Sequence, residues 1–173
     1  MHEMTLARDL AMVLTLPLLA CLAWRDLATR IIPNWICVTL AASGLVVRTL
    51  HGLEALAVSA GLAALVLLAF LPIHARGMLG GGDIKLLAAL ALGLPAGGTY
   101  RLMVATALAG GALVLLHLAL RRLPLPACCP PGAAAPRRVW TIERWRVRRK
   151  GSLPYGVAIA CGGAWAILSD WGA

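Results

Sequence analysis

The chain has 173 residues, of which 61% are hydrophobic and 13% charged, too few polar groups to clothe a soluble domain of this size. Its net charge is +9, but nine of the sixteen Lys and Arg residues fall between Arg121 and Lys150. Such a block beside an apolar segment reads as a membrane-topology signal and argues against a nucleic-acid partner. The expected fold class is therefore all-α: a polytopic membrane bundle forming a single domain over residues 1–173, with the lipid bilayer as its solvent.

Six spans are predicted in chain order. The first covers residues 10–24 and is interrupted by Pro17, and the second covers 36–50. The third, 53–73, is the clearest, with one acid, Glu54, near its start. The fourth, 84–94, is short and follows a glycine run; the fifth covers 102–120 and the sixth 153–168. Ala57 with Gly61, Gly110 with Gly111, and Gly162 with Gly163 are small residues of the kind that let helix backbones approach closely in lipid. The first segment lacks a good basic n-region, since Arg8 is followed at once by Asp9, and it is read as an uncleaved helix. Grouping alternate loops puts thirteen Lys and Arg on one side and three (Arg8, Arg48, Arg101) on the other. The richer side is cytoplasmic, which leaves both termini outside and the basic loop 121–150 inside.

The five cysteines match no ligand or disulfide spacing, and the four histidines are scattered, so no metal and no cofactor is expected. Cys21, Cys37 and Cys161 lie in apolar segments and read as small buried thiols. Loop 121–150 divides into a Pro-rich linker and a basic stretch, 137–150, with Trp140 and Trp145, suited to anionic lipid headgroups.

Of the seven acids, Asp26 and Asp83 fall at helix ends on the cytoplasmic side. Acids at membrane depth are costly and tend to face a cavity and carry function; the alternative for Asp26 is an interfacial ion pair with Arg25 or Arg30. Asp83 closes the run Gly80-Gly81-Gly82-Asp83, whose glycines are free to adopt positive φ. A phosphate-binding loop does not fit, because an acid at the helix start repels phosphate and GxxxxGK[ST] is absent. Two carboxyls in one pocket share a proton, the ionised member activating water while the protonated one polarises a carbonyl. With Asp83 at a helix start and Asp26 past a helix end, the dipoles favour Asp83 as the base and Asp26 as the proton donor.

At these residues the sequence resembles the type IV prepilin peptidases, the GxGD class of membrane aspartic peptidases. Three stretches carry the likeness: Asp26 followed by Arg30-Ile31-Ile32-Pro33-Asn34, Gly80 through Leu87 (GGGDIKLL), and Leu153 through Ala160 (LPYGVAIA). The resemblance implies Asp26 and Asp83 as the catalytic pair at the cytoplasmic membrane face. It implies as substrate a prepilin or pseudopilin precursor, with a short basic leader before a hydrophobic helix, cut just after a glycine. Only about ten residues separate the first two spans, so no cytoplasmic CxxC domain is present between them. The chain looks like the short, peptidase-only branch serving Flp or tight-adherence pili. Lys85 orients Asp83 or is an interfacial lysine; Pro33-Asn34 starts and caps the second helix; Pro154 and Gly156 shape the entry of the last. A transporter would place acids near the midplane within repeats, which are not found here, and a silent scaffold would differ only by failing to cleave a precursor.

Overall fold

A computed structural model describes residues 2–122 and 153–171, with side chains from residue 13 to 170. These residues form six helices and no strand: α1 (His2–Thr29), α2 (Asn34–Leu50), α3 (Leu53–Ala75), α4 (Gly81–Gly93), α5 (Ala96–Arg122) and α6 (Tyr155–Trp171). The basic stretch 137–150 and Cys128–Cys129 lie outside the described residues.

The breaks between helices have local causes. α1 runs on past Asp26, which therefore sits in its last turn and does not follow it. Arg30 then adopts a left-handed φ of 59° and donates its N–H to the Asp26 carbonyl at 3.0 Å, and Pro33 precludes any continuation. α2 begins at Asn34 as expected, but Pro33 is its N-cap and no side-chain cap hydrogen bond forms. The turn into α3 uses Gly52 at φ 104°. α3 ends on a pair of bonds, Met78 N–H to the Ile73 carbonyl at 3.2 Å and Gly77 N–H to the His74 carbonyl at 2.8 Å. With Gly77 at φ 71°, this is a Schellman termination. Leu94-Pro95 separates α4 from α5, and the Ser59 hydroxyl of α3 donates to the Leu94 carbonyl at 2.9 Å.

α4 is the centre of the bundle. Ile84, Leu86, Leu87, Ala88, Ala89, Leu90 and Ala91 are all buried, against α2, α3 and α6. α2 crosses α4 backbone to backbone: a Cβ on Gly44 would come within 2.6 Å of the Gly93 Cα. α5 and α6 form the most extensive helix–helix contact among the described residues. A Cβ on Gly162 would meet the Thr106 backbone nitrogen of α5 at 2.7 Å, and one on Gly163 would meet Leu90 of α4 and Leu19 of α1. The Gly162-Gly163 pair thus packs as expected. Gly61 and Gly111 do not: nothing lies within 4 Å of either, because their helix faces point outward. Cys37 is buried, but Cys21 and Cys161 are exposed, so burial of all three thiols does not hold.

α3 and α5 are long and apolar enough to cross a bilayer. α3 is buried over only 17% of its most apolar stretch, with Leu65, Leu68 and Leu71 exposed. A core helix of a soluble domain would be covered, so this surface fits lipid. α2, α4 and α6, with 17, 13 and 17 residues, are shorter than the roughly 20 residues of an average span.

Candidate active site

Asp26 and Asp83 are 57 positions apart in sequence, on α1 and α4, yet lie within electrostatic range of one another. Their surroundings differ. Asp26, three residues before the end of α1, is only 5% exposed, whereas Asp83 is partly exposed.

The backbone is cut away around each carboxyl. Gly156, in the first turn of α6, lies directly on Asp26: a Cβ there would sit 2.9 Å from its Cγ and from Oδ2. Pro154, immediately before α6, is fully buried and sets the entry of this turn. At the other carboxyl, a Cβ on Gly80 would sit 2.8 Å from Asp83 Oδ2. The carboxyl thus folds back over the Gly80 backbone, while the Asp83 N–H donates to the Gly80 carbonyl at 3.1 Å.

The triple glycine does not work as expected. Gly80 has φ −68° as the N-cap, Gly81 and Gly82 are the first helical residues, and the positive φ falls at Gly77. The need at 80–82 is for space. A Cβ on Gly82 would come within 3.1 Å of Ile32, and one on Gly81 within 3.2 Å of the His74 ring, which itself contacts the Leu79 carbonyl through Nδ1 at 2.9 Å.

Lys85 and Asn34 are both exposed. Cys37, one turn into α2, is buried and lies within electrostatic range of both Lys85 and Asp83. The sequence reading overlooked Cys37, Ile32 and His74 as neighbours of this region. For Cys37 a signal existed, since the buried residues Ile36, Cys37, Leu40 and Gly44 mark one helix face at a three-to-four-residue period.

The apolar outer surface of this helical bundle fits a membrane protein. A family model for the type IV leader peptidase family matches residues 13–115, more than half of the chain, and the protein belongs to that family. It is thus a peptidase. Both acids fall inside the match; Pro154 and Gly156 fall outside it. Neither curated proteins nor solved structures gave a match.

Proposed function

We propose that this chain is an aspartic endopeptidase that removes the leader peptide from Flp-type prepilins or pseudopilins at the cytoplasmic face of the bacterial inner membrane. What supports the reading is that Asp26 and Asp83, on α1 and α4, lie within electrostatic range of one another. All six helices insert, with both termini outside and loop 121–150 in the cytoplasm, as the distribution of Lys and Arg requires.

In the mechanism, Asp83 near the N-terminus of α4 is the carboxylate that takes a proton from water. Asp26, buried in the last turn of α1, is the neutral acid that hydrogen-bonds the scissile carbonyl and then protonates it. The helix dipoles favour this assignment. Asp83 has the exposure a water-activating group needs. Gly156 and Gly80 keep side chains from occupying the space beside the carboxyls, and Lys85 at the rim offsets negative charge. No cofactor takes part.

The test is cleavage of a pilin precursor in membranes containing the full-length protein. Asp26→Asn and Asp83→Asn are each expected to abolish processing while leaving the inserted protein intact, and the double variant to be no worse than either single one. Wild-type processing by either single variant overturns the mechanism.

A further inference from the structure

At the end of the bundle opposite Asp26 and Asp83, α1, α2, α4 and α6 line a half-open cavity of about 140 Å³. The Gly44–Gly93 crossing forms part of its wall, together with Leu40, Leu90 and other apolar groups. Its charged and titratable lining comprises Arg48, His51 and Asp170. Asp170 is ion-paired with Arg101 of α5, which balances the carboxylate on that wall. Arg48 has no such balance among the described residues. One of its terminal nitrogens donates to the Ala55 carbonyl at 3.3 Å, which holds the guanidinium in place, but its Nε–H is buried and has no acceptor. Burying a guanidinium donor without an acceptor is costly. The His51 ring uses Nδ1 against the Val47 carbonyl at 2.8 Å, leaving Nε2 as its remaining polar atom.

A fixed cation with an unsatisfied donor, set in a mostly apolar wall, suits an anionic oxygen carried on an apolar body. Free phosphate would lose its hydration to that wall without compensation, whereas a lipid phosphodiester brings its own hydrocarbon. The volume, many times the roughly 10–15 Å³ a single water needs, admits a phosphate group and a few carbons. We propose that this cavity binds the phosphodiester headgroup of an anionic phospholipid, anchored by Arg48. The inference rests on the membrane placement proposed above, in which this end of the bundle meets the outer leaflet.

The experiment reconstitutes the full-length protein in phosphatidylcholine nanodiscs doped with phosphatidylglycerol and reads bound lipid by native mass spectrometry. Wild-type protein is expected to retain one phosphatidylglycerol, and Arg48→Gln to weaken retention about tenfold, as loss of a charge-assisted contact implies. Ser43→Leu, which fills the cavity without altering charge, is expected to do the same. Arg76→Gln, removing an exposed charge at the other end, is expected to leave retention unchanged. Equal retention in wild type, Arg48→Gln and Ser43→Leu, an equal loss in Arg76→Gln, or displacement of the lipid by inorganic phosphate alone overturns the proposal. Should Arg48→Gln not yield folded protein, Ser43→Leu decides the outcome. The readout involves no substrate, so failure to cleave a precursor leaves it standing, and loss of lipid retention leaves the peptidase reading standing.

Discussion

Gly156 contributes by having no side chain. With a Cβ, position 156 would press within about 3 Å of three Asp26 atoms, and the carboxyl would have to turn or the first turn of α6 to shift. Misplacing a reacting group by an ångström costs on the order of a hundredfold in rate. Gly156→Ala is expected to lower precursor cleavage by about that factor with little change in the amount of inserted protein. Near-normal cleavage by this variant would show that Asp26 need not stay where it is. At this scale the sequence was partly legible. The two acids stood out because charge is rare in so apolar a chain. The glycines flanking Asp83 stood out too, but for the wrong physical reason: they provide clearance for Ile32, His74 and the carboxylate itself, not left-handed backbone. The neighbours Ile32 and His74 were hidden, because contacts across helices leave no local mark in sequence.

Helix α4 holds Asp83 only as firmly as its partners hold α4. It is 13 residues long, about 20 Å, and it touches α2 through glycine on glycine. Gly44→Val would wedge that crossing apart, since the atoms opposite belong to the Gly93 backbone and cannot rotate away. Overpacking of this kind costs about 1–3 kcal/mol, and the expected result is a protein that unfolds more readily in detergent than wild type. An unchanged thermal transition would mean that the two helices are free to separate. The existence and order of all six helices were legible, because prolines, glycines and apolar runs mark them. The extents were not. α4 begins three residues before its predicted start and α5 six before, because Gly81, Gly82 and the stretch Ala96–Arg101 contain too little apolar character to look like span. The Gly44–Gly93 crossing was equally silent, because two isolated glycines 49 positions apart form no motif until the helices carrying them are packed.

For the whole molecule, orientation is the proposal with the simplest check. A reporter fused after Lys150 is expected to score cytoplasmic, and one after Ala173 external, because basic loops are retained inside. Identical scores for both fusions would change the number of crossings by one. Charge bias was readable from sequence because it is a property of loops and needs no packing. The cavity near Arg48 was not, since its walls come from four helices and its anchoring charge looks in sequence like any other interfacial arginine.

The contact between Gly156 and Asp26 joins the helix made first to the helix made latest among the six. A ribosome that has delivered α1 through α5 has already supplied both acids, yet Asp26 then lacks the backbone that confines its carboxyl. Its rotamers remain open, and water reaches it from the side α6 later covers. Under the proposed mechanism, a nascent or truncated chain therefore holds both acids without a shaped site for a precursor. Under that mechanism, proteolytic competence arrives only with the last of the six helices.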